Sequence, residues 1–260
     1  MRRKNKSPGK SLPGPLENGL ENGLENRVAD SLKILAVDTA SQSCGVAIVH
    51  GDTLLCEICV NTGDTHSKQV LSLMDTALGF SELKLTNIDA YAVTTGPGSF
   101  TGLRIGMSVL KGIVLADKKP IVGISSLDAL AWQCNPYHGA VCVLMDARRK
   151  EVYCAQYTLK AGLLKRTVQG AVVNPEKAIS AIHEECAFIG SGAVLYRNLI
   201  LEKLGEKAFF PSASSHLIKA SSVAFLGLEQ LQNRQSMEPG HLVPDYLRAS
   251  DAEIKRIGKG

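Results

Sequence analysis

The chain has 260 residues, of which 45% are hydrophobic and 21% are charged, and its formal net charge is +4. These values are typical of a globular protein with one or two packed domains. A membrane span is excluded because no run reaches the roughly 18 apolar residues that a span needs, and the seven cysteines, an odd number, argue against a disulfide framework.

The basic residues are scattered along the chain, and the sequence leaves open whether they form a nucleic-acid groove. The basic start MRRKNKSPGKSLPG is not followed by the apolar stretch of a secretory signal. We therefore expect a cytoplasmic protein that does not bind membranes.

Residues 1–31 differ in composition from the rest of the chain. A basic head is followed by LENGLENGLENR, a short repeat in which each glycine costs a helix about 1 kcal/mol relative to alanine. We predict a disordered, low-complexity tail here.

The first half continues with three apolar runs, KILAVDT, CGVAIVHG and LLCEICVN, which predict a strand meander. THSKQVLSLMDTALG then has apolar residues at helical spacing and predicts a helix over residues 66–79. A strand at AYAVTT, a glycine-rich segment, a helix over residues 101–116, a strand at IVGI and a helix from Ser126 to Cys134 follow.

The second half starts again with strands. AVCVLMDA and EVYCAQYTL predict a hairpin that turns at Arg148 to Lys150, and LLKRTVQG adds a third strand before helices and strands alternate. Because a meander followed by alternating elements occurs twice, we predict two related α/β lobes, at residues 32–133 and 134–260.

The segment TTGPGSFTGLRIG joins a strand to the helix over 101–116. Its glycines permit a concave turn whose N–H groups, with the positive end of the helix, could hold an anion, and Ser99 or Thr101 is the expected N-cap. The alternative is that the glycines serve only a sharp turn and close packing, and the residues alone do not decide between the two.

The helix over 101–116 has two apolar faces. Its polar residues Arg104, Ser108 and Lys111 form one narrow stripe, and apolar residues cover the rest. One face can pack on its own sheet, whereas the other needs a neighbouring helix, such as 66–79, or another protein. Burial of both faces in the core is the alternative.

Two strand-end carboxylates could serve a nucleotide cleft between the lobes. Asp38 and Asp146 each end an apolar strand, and the turn around Ser191 follows another. A carboxylate that merely caps a turn is the alternative for Asp38. The candidate nucleotide-binding residues are Asp38, Thr39, Gly96, Gly98, Ser99, Asp146, Gly190 and Gly192.

The sequence has no recognisable set of residues for a metal site or for a catalytic triad. The pair Cys56 and Cys59 has metal-ligand spacing, but on a strand residues three apart point to opposite faces. The histidines are isolated, and no nucleophile elbow is present. We predict no metal site and no catalytic residues.

Several motifs resemble the TsaB family, also called YeaZ. VDTASQSCGVAIV, THSKQVLSLMD, TTGPGSFTGLRIGMSVLKGI, GISSLDALA, MDARRKEVY and PDYLR occur in the family's order over about residues 33–257. The resemblance implies an α/β, actin-like ATPase (ASKHA) fold with two related lobes. It also implies a non-catalytic scaffold that activates TsaD in forming N6-threonylcarbamoyladenosine at position 37 of tRNAs that read codons beginning with A.

The resemblance also bears on the metal site and the partners. TsaD holds its metal through two histidines, whose positions correspond to Ser126 and Leu130 here, so the metal site is expected to be absent. The implied partners are TsaD, bound through helices 66–79 and 101–116, the ATPase TsaE, and tRNA through the complex. A weak homodimer is expected when the chain is alone, and any ATP or ADP would lie at or near the interface of the complex.

The candidate interface residues are His66, Val70, Leu71, Met74, Leu78, Leu103, Arg104, Met107 and Leu110. We expect Leu71→Asp or Met107→Asp to abolish the complex and leave the fold largely intact. A nucleotide-hydrolysing enzyme of the actin or sugar-kinase type is the alternative function, followed by a metal-dependent glycoprotease.

Overall fold

A computed structural model describes residues 31–61 and 66–248 of the protein. The predicted tail, residues 1–31, lies outside this part except for Ser31. None of the helices in the described part combines the length and apolarity required to cross a bilayer.

The protein is built on two five-stranded mixed sheets. The first has the order β3-β2-β1-β4-β5 and the second the order β8-β7-β6-β9-β10. In both, the first three strands form an antiparallel meander and the last two run parallel to the first strand. The strands are β1 Lys33–Asp38, β2 Cys44–His50, β3 Thr53–Val60, β4 Ala90–Gly96, β5 Ile121–Ser125, β6 Gly139–Asp146, β7 Val152–Lys160, β8 Leu163–Val173, β9 Cys186–Ile189 and β10 Ala208–Phe209.

This repeated topology confirms the prediction of two related α/β lobes. The helices that connect and cover the sheets are α1 His66–Phe80, α2 Phe100–Asp117, α3 Ser126–Trp132, α4 Pro175–Ser180, α5 Ser191–Leu195, α6 Arg197–Leu204 and α7 Ala220–Gln232. The hairpin between β6 and β7 turns at Arg148 to Lys150, as expected.

Strand β1 is buried on both faces, and its alternating side chains enter two different cores. Leu35 and Val37 pack with Met74 of α1 and Met107 of α2. Ile34 and Ala36 face the opposite side, where they join the core that contains α7. Helices α1 and α2 therefore form the outer layer of the first lobe, and α7 lies on the inner side of its sheet.

Helix α7 lies within the predicted second lobe, residues 134–260, but it packs on the strands of the first sheet. Its apolar residues Val223, Ala224 and Leu228 cover the face that α1 and α2 leave open. The same core includes Val143 and Tyr157 of the second sheet. The chain after residue 134 is therefore not a self-contained lobe, because its last helix completes the first one.

Candidate functional site

Helix α2 begins immediately after the glycine-rich loop. Ser99 is its N-cap, since the Ser99 Oγ accepts a hydrogen bond from the Gly102 N–H at 3.2 Å. Of the two predicted caps, Ser99 is confirmed. The Ser99 N–H donates to the Ala40 carbonyl oxygen at 2.7 Å, which ties the loop to the segment after β1.

The glycines of this loop are needed for close packing. A Cβ at Gly98 would lie 2.2 Å from the Ala40 carbonyl oxygen, and a Cβ at Gly106 would lie 2.4 Å from the Thr39 Oγ1. Thr39 in turn donates from its Oγ1 to the Gly102 carbonyl at 2.8 Å. Because the N–H groups of Ser99 and Gly102 already have partners within the protein, the geometry favours the close-packing interpretation over the anion cradle.

Asp38 is enclosed within the first lobe. Its carboxylate is fully buried; Oδ1 accepts hydrogen bonds from the Ala40 N–H at 3.1 Å and the Thr94 Oγ1 at 2.8 Å, while Oδ2 has no partner among the described residues. Burial raises the pKa of the Asp38 carboxyl from 3.8 to about 7, although both hydrogen bonds oppose the shift. Asp38 and its buried neighbour Thr39 therefore do not reach the cleft between the lobes, contrary to the prediction that they bind a nucleotide there.

A cavity of about 520 Å³ lies between the lobes. One wall consists of the segment after β1 and the loop before α2, including Ser41 and Ser99, and the other includes Asp146 and Ser191. Apolar side chains from the second lobe complete it, and two of them are more than half exposed: Val194 at 53% and Leu195 at 59%. The remaining lining residues are Ala40, Gln42, Asn61, Gly98, Met145, Ala147, Arg148, Tyr153 and Leu217.

The predicted nucleotide-binding residues are thus only partly brought together. Gly98, Ser99 and Asp146 line the cavity. Gly190 and Gly192 instead allow α5 to approach β6, since a Cβ at either would lie within 3.0 Å of the Leu144 carbonyl oxygen. Gly96, whose φ is +119°, makes room for the carbonyl oxygen of Asp245.

The predicted interface residues on α1 and α2 divide into a buried and an exposed group. Five of them are buried in the first lobe and present no surface to a partner: Val70, Met74, Leu103, Met107 and Leu110. Leu78 is only partly buried, and its contact with a partner stays a prediction. Leu71, at 56% exposure, and Arg104 do face solvent, and the side chain of His66 lies outside the described part.

The burial of Met107 also corrects the expected effect of Met107→Asp. Leu103, Met107, Leu110 and Val114 follow one another at helical spacing and form the face of α2 that meets the sheet. An aspartate at position 107 would be buried in the core without a countercharge, so this variant tests folding rather than partner binding.

A different row of α2 forms the outer surface. Thr101, Arg104 and Ser108 are exposed, with Ile105 and Val109 partly exposed beside them in a shallow groove. One turn further along, a Cβ at Gly112 would meet nothing within 4 Å, and Leu115 is 70% exposed. We call this surface, residues 101, 104, 105, 108, 109, 112 and 115, the outer face of α2.

The C-terminal segment packs against the start of this outer face. The ring of Tyr246 stacks on Phe100 with centroids 4.7 Å apart, and the Arg104 guanidinium lies 3.8 Å above the Phe100 ring while its Nε donates to the Tyr246 hydroxyl at 3.0 Å. Sequence reasoning missed this contact, and the motif PDYLR was its only signal.

No group of three or more His, Cys, Asp or Glu in residues 31–61 and 66–248 is placed to hold a metal ion. Ser126 and Leu130, at the positions implied to replace the two histidines, are buried in α3. Burial raises the pKa of the thiols of both Cys56 and Cys59.

Two sheets of identical strand order, with a cleft between the loops that follow β1 and β6, define a protein of the actin-like ATPase fold. The family model described as "TsaD: tRNA N6-adenosine threonylcarbamoyltransferase" matches residues 60–256. The match covers well over half of the chain.

Among curated proteins, the chain is 32% identical over 229 residues to the tRNA threonylcarbamoyladenosine biosynthesis protein TsaB of Bacillus subtilis, covering 87% of this chain and 98% of that protein. It is 31% identical to TsaB of Escherichia coli, covering 88% of this chain and all of that protein. The solved structure of YeaZ from Pseudomonas aeruginosa matches with a TM-score of 0.71 at 26% identity, covering 83% of this chain and 99% of that one. The chain belongs to the TsaB family.

Proposed function

We propose that the protein is a non-catalytic subunit in the formation of threonylcarbamoyladenosine on tRNA, and that it activates a TsaD-type partner by binding it through α1 and α2. The names of the relatives from Bacillus subtilis and Escherichia coli support a role in this biosynthesis. In the proposed assembly, the ATPase TsaE and the tRNA join the complex that the two subunits form.

The outer face of α2 is the observation that carries this proposal. Helix α2 already packs on its sheet through one apolar row, yet Ile105, Val109 and Leu115 keep apolar surface in contact with water. Leu71 of α1, the helix packed beside α2, is exposed as well. A helical partner laid against this face would bury these side chains, each contributing up to about 1.5–3 kcal/mol before the cost of association is subtracted.

The shape of the face favours a helix as the partner element. Gly112, with open space around it, and the small Ser108 leave a flat strip along which another helix backbone can approach closely. Arg104, held by Phe100 and Tyr246 at the head of the strip, adds one fixed positive charge. We therefore expect an acidic or hydrogen-bond-accepting group on the partner near Arg104.

The non-catalytic assignment is supported by the state of the cleft. The carboxylate that would organise magnesium-bound water, Asp38, is fully buried and does not line the cleft. The metal-binding positions implied by the resemblance carry Ser126 and Leu130, and neither side chain replaces imidazole as a ligand.

A substitution at Gly112 tests whether the outer face of α2 binds the partner. A Cβ at this position meets no atom within 4 Å, and arginine is a better helix former than glycine by about 0.5–1 kcal/mol, so Gly112→Arg should fold at least as well as the wild type. Its long side chain would prevent a partner helix from approaching the strip. We expect Gly112→Arg to lose co-purification with the cognate TsaD and to lose tRNA modification in a reconstituted reaction.

The matched control is Leu163→Arg, which adds the same side chain at a position that is 73% exposed in the second lobe. This variant should bind TsaD and support modification as the wild type does. Retention of both activities by Gly112→Arg would show that the outer face of α2 is not the interface.

A second candidate is a nucleotide-hydrolysing enzyme, and the 520 Å³ cavity is the observation that favours it. The exposed Val194 and Leu195 could contact a base, and Arg148 at the edge could contact a phosphate. Magnesium-dependent ATP turnover by the isolated chain, lost in a variant of the cleft carboxylate, Asp146→Asn, would favour this candidate over the scaffold. Peptide cleavage that depends on a bound metal would instead support the glycoprotease.

A further inference from the structure

The turn between β6 and β7 has an unusual backbone. Arg148, Arg149 and Lys150 have φ values of 62°, 54° and 60°, so three consecutive residues with side chains occupy the left-handed region. Glycine, asparagine and aspartate adopt this conformation more easily than other residues. The chain nevertheless has two arginines and a lysine here, and all three are exposed.

The turn is held in place by its surroundings. The Arg148 N–H donates to Asp146 Oδ1 at 2.8 Å, and backbone hydrogen bonds of 3.0 Å join Ala147 and Arg148 to Glu151. Arg248 donates to the Ala147 carbonyl at 2.7 Å and pairs with the Glu151 carboxylate. These bonds involve backbone groups, the carboxylates of Asp146 and Glu151 and the guanidinium of Arg248. None of them uses a side chain of residues 148–150, so asparagine at these three positions would keep them.

The three cations extend from the cleft to the outside of the protein. Arg148 lines the 520 Å³ cavity, whereas Arg149 and Lys150 do not. A small ligand confined to the cavity would therefore use only Arg148. A chain of phosphates that passes the mouth of the cleft would meet all three.

We propose that this basic turn, residues 148–150, binds backbone phosphates of RNA. Such contacts position an RNA without reading its sequence, and they suit exposed cations on a hairpin turn. The proposal rests on the proposed function for the identity of the RNA, which is the tRNA to be modified. A fixed backbone reduces the freedom that the cations would lose on binding, which gives the strained turn a function.

The experiment measures binding of the full-length chain to an in vitro transcribed tRNA by fluorescence anisotropy between 50 and 200 mM salt. The test variant is Arg148→Asn, Arg149→Asn and Lys150→Asn combined, because asparagine is uncharged and tolerates the left-handed region. We expect at least a tenfold loss of affinity at the lowest salt. The slope of log affinity against log salt should become shallower by about two, as each lost phosphate contact removes about 0.7–0.9.

The control removes the same charge elsewhere, through Lys118→Asn, Lys160→Gln and Lys203→Gln, all at exposed positions. It should lose less than threefold in affinity. The melting temperature of the test variant should equal or exceed that of the wild type, so a loss of binding cannot be attributed to unfolding.

The proposal is overturned if the test variant keeps its affinity and salt slope, or if the control loses as much as the test variant. It is also overturned if the turn substitutions weaken binding of ATP but not of tRNA, because the turn would then serve a ligand in the cleft. Co-purification with TsaD is measured in parallel. We expect Gly112→Arg to lose co-purification with TsaD and to bind tRNA as the wild type does. The proposed interface on α2 and the proposed RNA site at residues 148–150 can therefore fail independently.

Discussion

Replacement of Asp38 by asparagine should stabilise the protein at neutral and alkaline pH. The buried carboxylate has Thr94 and Ala40 as donors to Oδ1 and no partner on Oδ2. Asparagine keeps the accepting Oδ1 and has no charge to desolvate. The variant therefore imitates the protonated form of Asp38 at every pH.

The size of the stabilisation expected for Asp38→Asn follows from the pKa of the Asp38 carboxyl. Burial raises the pKa of Asp38 from 3.8 to about 7, so the folded state binds this proton more tightly than the unfolded state does. The resulting stabilisation is complete below pH 3.8 and is lost as the pH rises through 7. Three pH units correspond to about 4 kcal/mol, which is the greatest advantage that Asp38→Asn can gain at pH 8.

The assay is urea unfolding of wild type and Asp38→Asn at pH 5, 6, 7 and 8. The advantage of Asp38→Asn in free energy of unfolding should be about 2–3 kcal/mol greater at pH 8 than at pH 5, with most of the increase between pH 5 and pH 7. Asp75→Asn, at an exposed position of α1, is the control and should show no such trend. A difference between wild type and Asp38→Asn that is the same at pH 5 and pH 8 would refute the assignment of a buried, titrating carboxyl.

The remaining predictions concern α2 and its loop. Met107→Asp should cost about 3–5 kcal/mol and give a protein with no cooperative thermal transition, since Met107 is only 3% exposed. Gly98→Ala should lower the free energy of unfolding by about 1–3 kcal/mol, because the added methyl would lie 2.2 Å from a backbone oxygen. Gly112→Ala, the matched glycine substitution without a neighbour, should raise it by about 0.5–1 kcal/mol. A Gly98→Ala protein as stable as Gly112→Ala would contradict the packing of the loop.

Much of the fold could be predicted because its local signals agree. The apolar runs of β1 and β2 are continuous and bounded by turn residues, and both are buried strands. Ser99 was one of two possible caps for α2, and the helix does begin after it. The repeated meander predicted two related lobes, and the two sheets share their strand order.

The orientation of α2 could not be predicted, because apolar residues occupy both of its faces. Periodicity alone does not distinguish the row of Leu103 and Met107 from the row of Ile105 and Val109. Which row faces the core is determined by contacts between residues that are distant in sequence, above all the contact of Gly106 with Thr39. For the same reason, the packing of Tyr246 on Phe100 was not foreseen, and neither was the return of α7 to the first sheet.

The rotation of α2 about its axis is fixed by its contact with the segment after β1. Gly98 and Gly106 allow the start of α2 to lie against Ala40 and Thr39. In this position Met107 points inward and Ile105 toward the surface. A side chain at either glycine would push α2 away from this segment and would therefore displace the outer face of α2, although neither glycine lies on that face.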